Sequence, residues 1–357
     1  GAVNHIPKGL KSGSDVGNLS ILGYNPKNFF TGRSPLEASG MGIDLNEEDA
    51  AYRCNLVNIV SNNKEKIMDD YSAGHIDDSI ARKVINFLQE GIDNEEFKFF
   101  PGVSYRHLLV WKKGDTSPIT VPPHDILGKN ISDFLPQGSS SEKLNKLMGT
   151  AREKIAEFKK LNKEYRNLPF NNIWLWGQGR KNILPSFESI NQISGSIISA
   201  VNLVKGIGKC AGLDVIVVKG ATGYLDTNYS GKVQAVLDSL QKHDFSMIHI
   251  EAPDETGHDG DYVNKVQAIN DLDRKVINPL IKNLKKKFKE FKICIVSDHP
   301  TPIELRTHSY EYVPFMIYDS RKSISNHNQN TFNEKTVIRS DLVIEDGFTL
   351  LGRFLKD

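Results

Sequence analysis

Apolar segments of strand length alternate with amphipathic segments of helix length from about Val201 onward, and this alternation limits the possible folds more than any other feature. The predicted strands are Asp214 to Val218, Ser246 to Ile250 and Ile293 to Val296. The predicted helices carry apolar residues at Val233, Val236, Leu237 and Leu240, and at Val266, Ile269, Leu272 and Val276. Strands separated by such helices predict right-handed crossovers and a mostly parallel α/β sheet with helices on both faces.

The middle of the chain, between about Asp44 and Asn167, has a different pattern. The segments VSYRHLLVW and SPITVPP predict strands, and the helix that follows has an apolar stripe of Leu144, Leu147, Met148, Ala151, Ile155 and Phe158. An insertion explains this break better than two domains in series. We therefore predict a discontinuous core formed by 1–44 and 168–357, and an inserted α+β domain at 45–167.

Composition narrows the class of protein. The chain has 357 residues, 25% of them charged, and a net charge of +1, so nothing in its charge favours nucleic acid or an anionic membrane as a partner. No apolar stretch approaches the length of a membrane span. Cys54, Cys210 and Cys294 lack paired spacing, so we expect reduced thiols and a cytoplasmic protein. Nothing in the sequence indicates an oligomeric state.

Asp and His residues follow two of the predicted strands. Asp298 and His299 come directly after Ile293 to Val296, and His308 lies nine residues beyond His299. Asp254 and His258 follow the strand Ser246 to Ile250. Pro253 and Gly257 predict a loop here rather than a regular helix.

These side chains predict a metal site. The carboxyl ends of parallel strands meet at one edge of a sheet, which would bring the two aspartates and three histidines together. Five oxygen and nitrogen ligands exceed the needs of one tetrahedral zinc and suit a pair of divalent ions with open positions. For each segment alone, the alternative is an Asp that caps a turn and a histidine on the surface.

A candidate nucleophile lies near the N-terminus, in KSGSDVGNLSILGY. Ser14 follows Gly13 and precedes a predicted helix, so its hydroxyl would lie at a helix N-terminus, where backbone N–H groups favour an anion. Coordination to a divalent cation would make the hydroxyl competent as a nucleophile. The alternative is that Ser14 or Asp15 only caps the helix, and the residues alone leave both roles open.

Taken together, the motifs resemble the alkaline phosphatase superfamily and, within it, the archaeal-type cofactor-independent phosphoglycerate mutases. The matching segments are GSDVGNLSILGYNP, FTGRSPLEASGMGIDL, AAYRCNLVNI, GVSYRHLLVW, PPHDILGK, IWLWGQGR, LVKGIGKCAGL, VKGATGYLDTNYSGK, APDETGHDGD and SDHPTPIELRTHSYEYVPF. The resemblance implies that Ser14 is phosphorylated during the reaction. It also implies two divalent metal ions, manganese, magnesium, cobalt or zinc. Asp254, His258 and His308 would hold one, and Asp298, His299 and Ser14 would hold the other.

The sequence departs from the family pattern at its beginning. The family opens with a core strand whose final Asp completes the second metal site, whereas this sequence begins beyond that point, at Gly1. We expect a preceding segment to supply the strand, because a parallel core without a central strand would expose unpaired backbone groups. The alternative is that the molecule binds its second metal poorly.

The resemblance also implies the reaction. Ser14 would take the phosphoryl group from one hydroxyl of phosphoglycerate and return it to the other, interconverting 3- and 2-phosphoglycerate in glycolysis without 2,3-bisphosphoglycerate. Such an enzyme must exclude water and hold the substrate carboxylate. The candidates for that binding are Arg53, Arg106, His107 and His124 in the inserted domain, and Lys205 and Arg33 in the core. Each of them would otherwise be a solvated side chain.

Two other functions stay open at this point. A metal-dependent phosphomonoesterase or phosphotransferase would use the same site but release phosphate to water. A degenerate, metal-binding regulatory relative would lack turnover.

Overall fold

The computed structural model describes residues 1–63, 65–92, 95–322, 332–337 and 340–356. Its strands are β1 (Ala2–Val3), β2 (Ala50–Asn62), β3 (Glu65–Asp70), β4 (Phe97–Val103), β5 (Arg106–Trp111), β6 (Asn172–Gly179), β7 (Gly195–Ile198), β8 (Asp214–Ile216), β9 (Phe245–Ile248), β10 (Lys292–Val296), β11 (Val313–Asp319) and β12 (Val343–Ile344). Contacts divide the chain into two compact units, 1–30 with 183–357, and 31–182. The second unit contains the whole of the predicted insertion, 45–167.

The α-helices are α1 (Ser14–Ile21), α2 (Pro26–Phe29), α3 (Arg33–Gly40), α4 (Asp78–Gly91), α5 (Ser141–Leu161), α6 (Phe187–Asn191), α7 (Asn202–Cys210), α8 (Tyr229–Ser239), α9 (Ala252–Asp259), α10 (Tyr262–Asp271), α11 (Asn278–Lys287), α12 (Glu334–Val337) and α13 (Leu350–Lys356). Short 3₁₀ turns lie at Pro123–Ile126, Ile131–Asp133, Lys163–Tyr165 and Gly347–Thr349. A mixed α/β protein results. No helix within the described ranges is both long and apolar enough to cross a membrane.

A three-stranded parallel sheet lies in the first unit, in the order β8-β7-β9. Helices α7 and α8 supply its crossovers, and Val233, Val236 and Leu237 of α8 are buried, as their spacing predicts. The alternation of strands and helices in this part of the chain is therefore confirmed. Strand β7 precedes the region where the sequence pattern is clear, and it was not predicted.

The last predicted strand pairs differently from the expectation. β10 pairs antiparallel with β11, in a four-stranded sheet of order β10-β11-β1-β12, so the described strands place β9 and β10 in separate sheets. Between β10 and β11 the chain runs through turns and bends, with no helix to serve as a crossover. An antiparallel partner needs no crossover, whereas a parallel one does. The prediction that Ile293 to Val296 joins the same parallel sheet is therefore wrong for the described strands.

The helix predicted through Val266, Ile269, Leu272 and Val276 is present as one unbroken helical segment, but it is not α-helical throughout. It consists of α10, a π-helical segment at Leu272–Ile277, and α11. Pro279, in the first turn of α11, has no N–H to donate to the carbonyl four residues earlier, and the π-helical segment ends just before it. Of the four predicted apolar positions Val276 is buried, whereas Val266 and Ile269 are exposed.

Antiparallel strands and the three α-helices α3, α4 and α5 form the second unit. Its sheet has the order β3-β2-β5-β4, and β6 pairs with β2 as well. Helix α5 buries all six residues of its predicted stripe, which confirms that helix. Burying each of its Leu, Ile, Phe and Met side chains contributes about 1.5–3 kcal/mol.

Two predicted strands of this unit need correction. The segment VSYRHLLVW, Val103 to Trp111, contains the end of β4, a turn at Ser104 and Tyr105, and then β5. The segment SPITVPP, Ser117 to Pro123, is not a strand and makes only an isolated bridge from Ile119 to Gln137. Its three prolines cannot donate to a strand ladder, which explains the difference.

Candidate active site

Ser14 occupies the first position of α1, as the sequence predicts. Its Oγ lies 3.0 Å from Nε2 of His299. One turn further along the helix, the side-chain amide of Asn18 donates to the carbonyl of Ser14 and to Oδ2 of Asp298, each at 2.9 Å. The start of α1 is thus tied to the residues that follow β10.

A glycine permits this close approach. Gly17 lies on α1 one turn after Gly13, against Asp298. A Cβ at Gly17 would lie 2.7 Å from the Asp298 carbonyl oxygen and 2.8 Å from its Cβ. Any side chain would push α1 away from Asp298, so the approach of the two segments requires glycine here.

Asp254 and His258 lie on a helix, and the predicted loop is therefore wrong. Helix α9 carries both residues four positions apart, on one face. Pro253 lies in the first turn, where a missing N–H breaks no helical hydrogen bond. Gly257 lies within the helix, and the position requires a small residue because a Cβ there would be 2.6 Å from the Thr301 carbonyl oxygen. Both residues that argued for a loop are thus compatible with a helix in this packing.

Asp254, His258 and His308 form a group whose ligand atoms all lie within 4.8 Å of one another. Oδ2 of Asp254 is 3.4 Å from Nε2 of His258, and Oδ1 is 3.6 Å from Nε2 of His308. His299 adjoins the group, since its ring centroid lies 3.9 Å from that of His308. Asp298 completes the cluster, with Oδ2 at 3.5 Å from Nε2 of His299.

Two of the histidines turn their Nε2 atoms toward each other. Nδ1 of His258 bonds to the carbonyl of Arg306, and Nδ1 of His308 to that of Ser12, each at 3.0 Å. A carbonyl only accepts, so both Nδ1 atoms carry the proton and a neutral ring has its lone pair at Nε2. Those Nε2 atoms are only 3.0 Å apart. Facing lone pairs repel, so this arrangement calls for a positive charge between the two rings, either a proton on one Nε2 or a metal ion.

The pKa values fit the same arrangement. Burial acts to raise the pKa of Asp254, but the hydrogen bond from His258 and the charges of the neighbouring histidines bring it well below its usual range. The same hydrogen bond raises the pKa of His258 to about 9. Burial lowers the pKa of His308, and nearby His299 lowers it further. The site therefore holds an ionised carboxylate beside His258, whose imidazole is the ring that favours the positive charge.

These residues fit a divalent metal ion. Imidazole Nε2 atoms and an ionised carboxylate are ligands that zinc, manganese and cobalt accept. The Nδ1–H groups of His258 and His308 each donate to a backbone carbonyl, as the second nitrogen of a metal-bound histidine usually does. Burial would raise the pKa of Asp298, yet His299 and His249 lower it, so a second carboxylate is ionised nearby.

In the second unit, the structure brings two predicted substrate-binding arginines together on a residue that the sequence did not single out. Glu37 accepts from Nε of Arg33 at 2.9 Å and from Nη1 of Arg53. Glu37 and Arg53 are buried, and the Arg53 guanidinium also lies 4.9 Å from the Trp176 ring centroid. Burial and the charge of Arg33 and Arg106 outweigh Glu37 and lower the pKa of Arg53 to about 10. A single carboxylate thus orients two guanidinium groups.

The other predicted substrate-binding residues are spread over several elements. Arg106 opens β5 and is exposed, with its guanidinium 5.4 Å from the Tyr105 ring centroid. His107 is buried, and its Nδ1 accepts from the Gly102 N–H at 3.0 Å. His124, in a 3₁₀ turn, lies edge-on to Trp176.

Lys205, the remaining candidate, lies on α7 in the first unit, and burial lowers its pKa. The structure therefore groups Arg33 with Arg53, and it does not bring Lys205 into the metal-ligand group.

Sequence reasoning missed Glu37, Asn18 and Thr301. Thr301 donates through its hydroxyl to Oδ1 of Asp254. No local motif marks these residues, since each acts on a partner that is distant in the chain or lies on another turn of the same helix. Glu37 is the partial exception, since it lies four residues after Arg33, a spacing that favours an ion pair once the segment is known to be the helix α3.

Comparison with known proteins gives consistent results. A family model described as 2,3-bisphosphoglycerate-independent phosphoglycerate mutase matches residues 1–160. A protein of Geobacter sulfurreducens named probable 2,3-bisphosphoglycerate-independent phosphoglycerate mutase is 44% identical over 357 residues, covering 99% of this chain and 89% of its own. One of Methanosarcina barkeri, with the same name without "probable", is 42% identical over 362 residues, covering 100% and 89%. The PH0037 protein from Pyrococcus horikoshii shares the fold, with a TM-score of 0.78 at 22% identity over 99% of this chain and 85% of that one.

Proposed function

This chain belongs to the archaeal-type 2,3-bisphosphoglycerate-independent phosphoglycerate mutases, isomerases that interconvert 3-phosphoglycerate and 2-phosphoglycerate, and we propose that Ser14 carries the phosphoryl group between the two hydroxyls. The observation that carries this proposal is the position of Ser14. Its hydroxyl lies at the start of α1 and 3.0 Å from His299, beside the cluster of carboxylates and imidazoles.

The reaction has two balanced steps. Oγ of Ser14 forms a bond to phosphorus as the bond from phosphorus to the 3-hydroxyl oxygen breaks, and that oxygen takes up a proton in place of the one that Ser14 loses. The second step reverses this exchange at the 2-hydroxyl. The first-turn N–H groups of α1 favour the negative charge that Ser14 carries as a phosphoserine.

Two divalent ions, manganese, magnesium, cobalt or zinc, would neutralise phosphate charge and lower the pKa of the Ser14 hydroxyl when bound. Asp254, His258 and His308 would hold one ion. Asp298 and His299, with Ser14, would hold the other. The fit of the donor atoms supports this assignment, since two imidazoles present convergent Nε2 atoms beside a carboxylate.

The second unit would supply the groups that hold the substrate carboxylate. Arg33 and Arg53 share Glu37, so two guanidinium groups face one negative charge. A guanidinium fork matches a carboxylate in bidentate geometry, so this pair of arginines supports the binding of a carboxylate. Arg106, His107, His124 and Lys205 remain candidates for the same role. Within this proposal, the alkaline phosphatase-like core is formed by 1–44 and 168–357, and 45–167 is the inserted cap. A cytoplasmic location fits the reaction.

Product analysis tests the reaction against the phosphomonoesterase alternative. Metal-loaded protein is incubated with 3-phosphoglycerate without bisphosphoglycerate, the metal is chelated, and phosphorus NMR resolves the products. We expect 2-phosphoglycerate and no free phosphate from the wild-type chain, and neither from Ser14→Ala. Free phosphate as the main product would replace this function by the alternative.

A further inference from the structure

Three histidines of the site face the same chemical requirement. A histidine that offers Nε2 to an ion needs its Nδ1 proton held by an acceptor, which fixes the tautomer and the ring orientation. For His258 and His308 that acceptor is a backbone carbonyl. His299 differs, because the partner of its Nδ1 is the hydroxyl of Thr301, at 3.4 Å. A hydroxyl can donate or accept, so it fixes a tautomer only if its own proton is committed elsewhere.

The Thr301 proton is committed to Asp254. The hydroxyl donates to Oδ1 of Asp254 in a short hydrogen bond, and an ionised carboxylate can only accept. Its lone pairs are then the only part of the hydroxyl that can face His299. Nδ1 of His299 must therefore be the protonated nitrogen, and in the neutral ring Nε2 has its lone pair directed at Oγ of Ser14, 3.0 Å away.

Packing holds the hydroxyl in place. Thr301 is 6% exposed, and the His299 side chain is 1% exposed, so water does not compete for this contact. The Thr301 carbonyl accepts from Nζ of Lys265 at 2.9 Å, which also bonds to the Pro253 carbonyl in α9 at 2.9 Å. The backbone of Thr301 is thus joined to the helix that carries Asp254 and His258.

We propose that Thr301 is a positioning residue that links the two proposed metal-ligand sets. Its hydroxyl proton holds Asp254 of one set, and its hydroxyl lone pair fixes the tautomer of His299 in the other. It would do for His299 what backbone carbonyls do for His258 and His308. The inference rests on the proposed metal-binding function, and it predicts that one hydroxyl affects both ligand sets.

Metal titration of three variants tests this role. Thr301→Val removes the hydroxyl at nearly constant volume, and Thr301→Ser keeps it. Thr256→Val is the matched control, because Thr256 is fully buried in α9 and its hydroxyl donates only to the helix carbonyls of Ala252 and Pro253. Calorimetric titration with Mn²⁺ should show a loss of roughly 10- to 100-fold in affinity for Thr301→Val. Affinities within about threefold of wild type are expected for Thr301→Ser and for Thr256→Val. Wild-type affinity in Thr301→Val would overturn the proposal.

A second measurement needs no variant that might misfold. Nitrogen-15 shifts of the imidazole ring in the wild-type chain, prepared without metal, report which nitrogen of His299 carries the proton. The proposal requires a proton on Nδ1, and a neutral ring protonated on Nε2 would overturn it. If wild-type protein binds no Mn²⁺ at all, the proposed metal function fails, and the tautomer still decides the role of Thr301 by itself.

Discussion

At the scale of single residues, buried side chains hold other side chains in place, as Glu37 does for Arg33 and Arg53 and Thr301 does for Asp254. Asp254, His258, Asp298, His299 and His308 were predicted because their types and their places after strands indicate metal chemistry, and the structure places them in one cluster. Glu37 and Thr301 were not predicted, because their importance comes from partners in other elements or on the next turn. A sequence shows a ligand by its residue type, but it does not show what holds that ligand.

At this scale the Glu37 carboxylate gives a stability prediction. Glu37→Gln leaves the buried Arg53 without its charged partner, so the free energy of unfolding should fall by about 3–5 kcal/mol. Urea unfolding followed by tryptophan fluorescence measures it, because Trp111, Trp174 and Trp176 all lie in the second unit. Glu157→Gln is the control, since its ion pair with Lys154 is partly exposed and its loss should cost under about 1 kcal/mol. Equal effects of the two substitutions would contradict the importance of burial.

At the scale of elements, α9 shows why residues that do cluster were predicted on the wrong backbone conformation. Pro and Gly are typical of loops, and the sequence does not reveal that this Pro would lie in a first turn and this Gly against another carbonyl. Helix α5 was predicted correctly because the apolar stripe along its 21 residues depends only on the spacing of residues within the helix. Elements shaped by local periodicity are therefore predicted better than elements shaped by a neighbour.

The packing of α9 predicts the effect of a methyl group. Gly257→Ala should displace α9 from Thr301, because the new Cβ would lie 2.6 Å from a backbone oxygen, and Mn²⁺ affinity should fall by about tenfold or more. In Gly149→Ala, in α5, the Cβ has nothing within 4 Å, so this control should stabilise its helix by about 1 kcal/mol and leave metal affinity unchanged. Unaltered Mn²⁺ binding in Gly257→Ala would show that the contact is not needed.

Strand β5 predicts a pH dependence through His107. Burial lowers the pKa of His107 from 6.5 to about 3, so between these values the unfolded chain binds a proton that the folded chain does not. The stability is therefore fully present above about pH 6.5 and decreases as the pH falls toward 3.

His107→Asn keeps an acceptor for the Gly102 N–H but does not titrate, so its urea midpoint should vary less with pH than that of the wild type between pH 6.5 and 4. The exposed His75, changed to Asn, serves as the control and should retain the wild-type slope. A wild-type slope in His107→Asn would mean that other groups cause the pH dependence.

For the whole molecule, the sequence predicted a mixed α/β class with a distinct middle segment, but not every strand partner. β7, β8 and β9 form a parallel sheet with helical crossovers, whereas β10 pairs with β11 and lies outside that sheet. Alternation of strands and helices predicts parallel pairing in general. It does not specify the order of strands, because order depends on contacts between segments far apart in the chain.

The chemical state of Ser14 during turnover is the most direct test of the proposed mechanism. The metal-loaded wild-type chain is mixed with 3-phosphoglycerate, quenched rapidly in acid and digested, and mass spectrometry locates phosphate on its peptides. Ser141→Ala is a control, since Ser141 holds the same first helical position in α5 and should not alter the result. We predict phosphate on Ser14 while 2-phosphoglycerate accumulates. Turnover without phosphate on Ser14, or with phosphate on another residue, would contradict the account.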